Sequence, residues 1–425
     1  MIIKKMLIVI AIWLLLFYDV SAQTATDTIQ LSFKEAEKYF LLNNLSLLSS
    51  KYNVDINKAL IKQARLWDNP IISTDQNIYD GKYFQHNTNN GQVYVQVMQL
   101  IKTGGKRTKA AQLASDNTSL AQEQFDDLLH NLRYTLQNDL LELSHQLKIK
   151  IVFTAEIAQV NKLIAGMDLL LQPNNASDKD NVRVKALLFS LQNELVNAEV
   201  QLMSIESELK LLLNNNETKF ISPKFDFKFG ELTTATIPNI NELVQQALIK
   251  RPDARIAQTG LLLQQHNFTY QQALAKPDVS IGTEYDQRSN YANNYVGLAI
   301  TLPINIFNAN QGNIAAAKIS IQQQQAVTDF TVARIKTDVT SAVNKFIFFQ
   351  GVNNRQQLNF SEQYDALFAS MLKSYAEKKV SLLEFIDFMD TYKDTKLKLL
   401  EQHNGLIHAA ADLNYAVASD VIHLN

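Results

Sequence analysis

The chain has 425 residues, with 40 basic against 42 acidic side chains and a formal net charge of −2 at pH 7, and so lacks the electrostatic footprint of a nucleic-acid binder. Only 12 glycines and 7 prolines punctuate this length, so long uninterrupted elements are expected. With no cysteine, disulfides, thiolate metal sites, a cysteine nucleophile and a lipid-modified N-terminal cysteine are excluded.

Residues 1–22 read as a secretory signal. Lys4 and Lys5 precede an apolar run from Met6 to Phe17, and Val20-Ser21-Ala22 has the small-residue pattern of a cleavage site. The run is too short to cross a bilayer, which takes about 20 residues. No later segment is long and apolar enough for a transmembrane helix. The mature chain is expected either as a soluble protein outside the cytoplasm or as one that crosses a membrane with strands.

A helical stretch from Phe33 to Trp67 comes next, closed by Pro70. Pro70 to Tyr79 and Gln92 to Leu100 read as strands, Val93, Val95 and Val97 sharing a face, with the polar tip DGKYFQHNTNNG between them. From Lys106 to Gln172 there is no proline and only Gly166, which predicts one helix of ~65 residues, ~100 Å long. Its apolar positions, among them Phe125, Leu128, Leu132, Leu136 and Leu140, recur at helical spacing and imply helix-on-helix packing. A second helix, Asp178 to Leu213, leads into an irregular, partly strand-like segment up to Asn239.

The same order then returns. A helical stretch runs from Ile240 to Ala275. Val279, Ile281, Thr283 and Tyr285 alternate along one strand, and Val296, Leu298, Ile300 and Leu302 along the next. A long helix from Asn313 to Lys379 and a last helix from Ser381 to Ala418 follow. Laid on itself at an offset of 207, the chain places Glu35 on Glu242, Leu41 on Leu248, Pro70 on Pro277, Ser73 on Ser280 and Gly105 on Gly312. This register predicts a tandem duplication, with repeats at 23–240 and 241–425.

The stretch IKTGGKRTKAA fails the phosphate-binding pattern G-x-x-x-x-G-K-[ST], because Leu100 stands at the first glycine and Arg107 at the hydroxyl position. Gly104, Gly105 and Gly312 are instead expected at strand-to-helix junctions, where a residue without Cβ tolerates positive φ. Lys106, Arg107 and Lys109 fall in the first helical turn, where cations gain nothing from the dipole. Contact with anionic lipid headgroups and a merely solvated cationic turn both remain open for them.

Four strands of ~9 to 10 residues match the length that a tilted strand needs to cross a bilayer. They cannot close a barrel alone, since the smallest membrane barrels have about eight strands, so several chains must each contribute four. A soluble two-hairpin module on a coiled coil is the alternative. The seven histidines form no H-x-x-x-H or H-E-x-x-H, and no G-x-S-x-G or G-x-G-x-x-G appears. No enzymatic activity, cofactor or metal site is therefore expected. Glu384 and Asp387 are i,i+3 on one helix face, and in a threefold arrangement they would supply six carboxylates, a ring able to select cations. An ordinary solvated acidic face is the alternative.

Taken in order, these features resemble the TolC family of outer-membrane efflux channels over nearly all the mature length. The resemblance rests on LSFKEAEKYFLLNN and its counterpart NINELVQQALIKRPD, on the junctions QLIKTGGKR and ITLPINIFNANQGNI, and on the turn SYAEKKVSLLEFIDF. It implies a mostly α fold with a small β part. Three chains would form a twelve-stranded transmembrane β-barrel, four strands from each, above an α-helical barrel of long coiled-coil helices that extends from the outer membrane into the periplasm. The function implied is that of a passive exit duct in a tripartite pump. Its partners would be a periplasmic adaptor and an inner-membrane transporter, of the resistance-nodulation-division type, and its cargo small molecules or metal ions. The alternatives are the exit duct of a type I protein secretion system and a periplasmic coiled-coil scaffold without a pore. The family's pattern assigns Glu384 and Asp387 to the pore constriction, and Tyr375 and Asp180 to a lock between the two helical turns. GGKR also resembles the CzcC-like heavy-metal efflux subgroup. The sequence departs from the family at Lys378, which replaces the usual glycine of the second turn, and at the first turn, which carries Pro173 and no glycine.

Overall fold

The computed structural model describes residues 28–79, 81–84, 91–170, 178–215, 219–225, 227–355, 360–377 and 379–424. The leader expected over 1–22 lies outside these residues, as do His86, Pro173 and Lys378.

The first half begins with β1 (Thr28–Ser32) and α1 (Phe33–Asn43). Ser32 ends the strand and starts the helix. Its Oγ accepts from the Glu35 amide at 3.3 Å while Glu35 Oε2 accepts from the Ser32 amide at 2.9 Å, a reciprocal cap for two otherwise orphaned donors. The single helix expected from Phe33 to Trp67 is broken at Asn44, which closes α1 and opens α2 (Leu45–Ala64). The reason is a buried cap: Asn44 Oδ1 accepts from the Leu47 amide at 3.0 Å, and its Nδ2 donates to the Leu212 carbonyl at 2.8 Å. Then come β2 (Ile71–Gln76), β3 (Val93–Ile101), the 65-residue α3 (Lys106–Leu170) and α4 (Asp178–Leu213).

A strand β4 (Phe220–Lys224) and a short α5 (Phe229–Thr234) follow. The second half then takes up the same order with α6 (Ile240–Lys250), α7 (Pro252–Leu274), β5 (Val279–Arg288) and β6 (Asn293–Thr301). It ends with α8 (Gln311–Arg355), α9 (Phe360–Ala376) and α10 (Leu382–Val417). The stretch expected as one helix from Ile240 to Ala275 is divided at Pro252, which has no N–H to continue the ladder and suits the first position of a new helix. The long helix expected from Asn313 to Lys379 is described as two helices, with 356–359 outside the described residues.

β1 and β4 pair in parallel, with Ile29 opposite Ile221. The other four strands form one antiparallel sheet in the order β2-β3-β5-β6. Its central pair, β3 with β5, joins the two halves of the chain. The helices pack around three apolar clusters. One surrounds Phe40, Leu136, Leu140, Leu143 and Leu209, a second Val339, Phe346, Leu406 and Leu413, and a third Phe153, Val160, Leu191, Phe385 and Met389. One helix face does not follow this burial: Val182, Phe189, Val196 and Met203, seven residues apart on α4, are all exposed.

The turn from β3 into α3 explains the glycine pair. Gly104 has φ +65° and Gly105 φ +73°, so two consecutive residues adopt a left-handed backbone. A Cβ on Gly104 would also stand 2.8 Å from the Lys276 side chain and 3.3 Å from the Ala273 carbonyl. Gly312 behaves differently. It has no positive φ and open space around it, and the left-handed residue at the second junction is Asn310, at φ 60°. Asparagine tolerates this conformation because its short polar side chain finds partners: Oδ1 accepts locally from Asn313 at 2.6 Å, and Nδ2 donates across to the Gln271 carbonyl of α7 at 2.8 Å.

The first cation after the glycine pair is not a solvated one, and the next two make contacts of their own. Lys106 is 6% exposed, and its Nζ donates to Asp278 Oδ1 and to the Lys276 carbonyl, both at 2.7 Å. Lys109 donates to the Thr269 carbonyl at 2.9 Å, and the Arg107 guanidinium lies 3.7 Å over the Trp67 ring. Thr103 completes the joint by donating its amide to Asp278 Oδ1 at 2.8 Å.

Because only the first junction needs glycine, Gly104→Ala should lower stability by about 1–2 kcal/mol for the left-handed backbone, before the Lys276 contact is counted. Gly312→Ala, at the start of a helix, should be neutral or stabilising by up to about 1 kcal/mol. Thermal melts of the two variants against the parent check the contrast.

Candidate functional site

The four-stranded sheet has two chemically distinct faces, fixed by register. Across the strands, Ile72 pairs with Val97, Val97 with Thr283, and Thr283 with Leu298; in the next row of the same face stand Thr74, Val95, Tyr285 and Val296. Rows alternate between faces, so this face is apolar and the other carries Ser73, Gln96, Glu284 and Gly297 in one row and Asp75, Tyr94, Asp286 and Tyr295 in another. Val296, Leu298 and Ile300 on the apolar face are 71%, 68% and 62% exposed. On the polar face the Tyr94 hydroxyl donates to Glu284 Oε2 at 2.9 Å and Gln96 donates to the same oxygen at 3.2 Å. Alternation along the strands already sets Glu284 and Gly297 on the face opposite the apolar residues; their cross-strand partners Tyr94 and Gln96 are given by the fold. Among the described residues β2 and β6 each have a single neighbour, so both sheet edges present unpaired backbone groups there.

The opposite end of α3 lies about 100 Å from the glycine pair at 1.5 Å per residue. Near it the turn between α9 and α10 places Tyr375, Glu384 and Asp387. Ser381 caps α10: its Oγ accepts from the Glu384 amide at 3.2 Å, and Glu384 Oε2 accepts from the Ser381 amide at 2.9 Å and hydroxyl at 2.8 Å. These bonds hold the Glu384 carboxyl below the usual range. Glu384 and Asp387 are both exposed, but the first therefore also serves as a helix cap. Asp387 lies one turn further on, its carbonyl accepting from the Thr391 hydroxyl at 2.9 Å.

The Tyr375 ring stacks on Phe385 with centroids 4.7 Å apart. Burial and, after it, the charge of Asp180 push the phenol upward, so it stays a donor. Asp180, half-buried in the first turn of α4, is thus near enough to act on Tyr375 through its field, while no hydrogen bond joins the two among the described residues.

Several histidines within the described residues have a defined polar or aromatic neighbour. His266 Nδ1 lies 2.6 Å from Asp116, His130 stacks on Tyr415 at 4.5 Å, and His408 Nε2 is 3.5 Å from Glu142. Among the described residues no group of three or more His, Asp or Glu could hold a metal ion.

No protein-family model matches the chain. A cobalt-zinc-cadmium resistance protein, CzcC, of Cupriavidus metallidurans is 26% identical over 279 residues, 65% of this chain and 63% of that protein, so the match spans less than two thirds of the relative. A membrane protein from Pseudomonas aeruginosa superposes with a TM-score of 0.74 at 14% identity, over 92% of this chain and 91% of its own. The CmeC outer membrane channel of Campylobacter jejuni gives 0.73 at 12% identity, over 91% of this chain and 86% of its own. At such identities the likeness is one of architecture: a mostly helical chain with a small sheet, built on the TolC-family outer-membrane channel fold.

Proposed function

We propose that the chain is one of three identical subunits of an outer-membrane exit duct that extends into the periplasm. The observation that carries this reading is the open four-stranded sheet, apolar on one face, polar on the other and unpaired at both edges. Three such sheets joined edge to edge close a twelve-stranded barrel with lipid outside and water inside. The seven-residue row of exposed apolar side chains on α4 supports the same assembly, since neighbouring subunits would cover it as a coiled-coil seam. The duct is passive; a periplasmic adaptor and an inner-membrane transporter of the resistance-nodulation-division type supply the work. Similarity to a cobalt-zinc-cadmium resistance protein supports divalent heavy-metal ions as cargo. The two halves, 23–240 and 241–425, are read as repeats of one unit, each contributing two strands and a long helix.

Purified from membranes in detergent, the protein should run as a trimer and form ion-conducting pores in planar bilayers. A monodisperse monomer that conducts, or a trimer extractable without detergent and inert in bilayers, would contradict the reading. Loss of the gene should raise the host's sensitivity to cobalt, zinc and cadmium; unaltered metal tolerance with lost export of a polypeptide would favour a secretion duct.

Glu384 and Asp387 are assigned to the constriction of the duct. Glu384→Gln keeps an acceptor for the Ser381 cap, so the double variant with Asp387→Asn removes up to six charges per trimer while leaving the helix start intact. Cation preference should fall with melting temperature unchanged. Unaltered reversal potentials would place the pair on an outer face.

Tyr375 and Asp180 are assigned to the lock that keeps the mouth closed. Within the described residues of the single chain the two are coupled only through the charge of Asp180; a charge-assisted bond formed between them at the closed mouth would be worth roughly 1.5–3 kcal/mol when shielded, and less at half-exposed positions. Tyr375→Phe with Asp180→Asn should raise conductance and spare trimer stability, which rests on the apolar clusters. Parent-like conductance would move the lock to another contact of this turn.

A further inference from the structure

Glu156 sits on α3 between Phe153 and Val160, in the apolar layer where α3 and α4 meet α10. It is 2% exposed, and its Oε1 has no hydrogen-bond partner. An ionised carboxylate in such a place has lost its hydration without compensation. Its neighbours add to the difficulty. Glu194 on α4 and Asp390 and Asp394 on α10 are negative, and Lys393 on α10 is the cation that opposes them. That ammonium is already engaged, 3.2 Å from Glu194, 3.7 Å from Asp394 and 3.9 Å from Asp390. Of the other polar groups on these helices, the Tyr392 hydroxyl donates to Asp365 of α9 at 2.6 Å, Lys396 of α10 lies 2.6 Å from the same carboxylate, and Lys150 of α3 lies 2.9 Å from Glu199 of α4.

We propose that Glu156, with Lys393 and Glu194, forms a proton-held joint between the α3/α4 pair and α10, tight while the Glu156 carboxyl is protonated and loosened when it loses its proton. A deprotonated Glu156 has two ways to be accommodated. Either it remains an unpaired charge in the core, or it draws Lys393 away from Glu194; both weaken the contact of α10 with α4. The same apolar cluster contains Phe385 and Met389, and Tyr375 stacks on Phe385, so slack at this joint reaches the turn between α9 and α10. Burial pushes the Glu156 carboxyl up to about 8, which puts the transition just above neutral pH. The joint itself follows from packing and charge; its effect on conductance rests on the exit-duct reading.

Two measurements test it on the full-length protein. The unfolded carboxyl titrates near 4.5 and the folded one near 8, so the folded state holds a proton that the unfolded state has lost, and this group's contribution to stability falls as pH rises between those values and then levels off. Melting of Glu156→Gln should therefore match the parent near pH 5, exceed it progressively up to pH 8, and hold a constant margin above. Glu156→Met, apolar and of similar length, should follow the same trend. In planar bilayers the parent's conductance should rise between pH 7 and 9 while both variants stay flat. A melting margin that does not change with pH would overturn the joint, and a variant that keeps the parent's conductance profile would overturn its link to the mouth. A parent that forms no pore at any pH would instead overturn the exit-duct reading, and the melting comparison would still decide the joint.

Discussion

The buried ion pair between Lys106 and Asp278 is the contact on which the rest of the molecule is aligned. Asp278 precedes β5, in the second half of the chain, and Lys106 opens α3, in the first. One carboxylate oxygen takes both this ammonium and the Thr103 amide, so the end of β3, the start of α3 and the approach to β5 are held at one point. The accuracy of that point matters because α3 has no internal hinge. A tilt of about 5° at its base would move the far end by about 9 Å over a helix about 100 Å long. A buried charge pair is poor value as stability alone, since desolvation offsets much of its attraction. Its geometry is demanding, however, and a junction that aims a helix of this length has use for such demand.

The single chain is unfinished at both ends, and in related ways. At the sheet, β2 and β6 each lack a second neighbour among the described residues, while Ile72, Val97, Val296, Leu298 and Ile300 of the apolar face stand exposed. Along the helices, Val182, Phe189, Val196 and Met203 form an apolar row that is exposed among the described residues. Burying apolar surface is worth about 25 cal/mol per Å², and open strand edges recruit further strands. Both deficits are met by the same neighbours if copies of the chain close around one axis, and that shared solution makes the sheet and the helices a single argument for assembly.

Most of the polar chemistry within the described residues is structural. Arg251, at the break between α6 and α7, is bound by Asp253 at 2.8 Å and Asp338 at 3.1 Å, and it also donates to the Ala416 carbonyl. Glu35 and Glu384 play identical capping parts at the starts of α1 and α10. This reuse explains how Glu384 can combine a local duty with the constriction role proposed for it: the cap fixes where its charge sits. Glu156 stands apart, since it is buried, has an unpartnered oxygen, and caps nothing.

The elements with a strong local cause were legible before the structure. Lack of proline and glycine over Lys106 to Gln172 announced the long helix, and alternation at Val279 to Tyr285 and Val296 to Leu302 announced the strands, because period and punctuation are properties of neighbours along the chain. The location of the acidic positions Glu384 and Asp387 at the start of the last helix was legible too. The breaks at Asn44 and Pro252 were missed inside longer helical patterns. Asn44 breaks its helix through a bond to Leu212, 168 residues away, which no local pattern contains. The parallel pair of β1 and β4, the antiparallel join of β3 to β5, the left-handed role of Asn310 in place of Gly312, and the burial of Lys106 and Glu156 were likewise decided by tertiary structure. Periodicity specifies which face of an element is apolar; only the packed partner determines which polar group on that face is paired, buried or left to hold a proton.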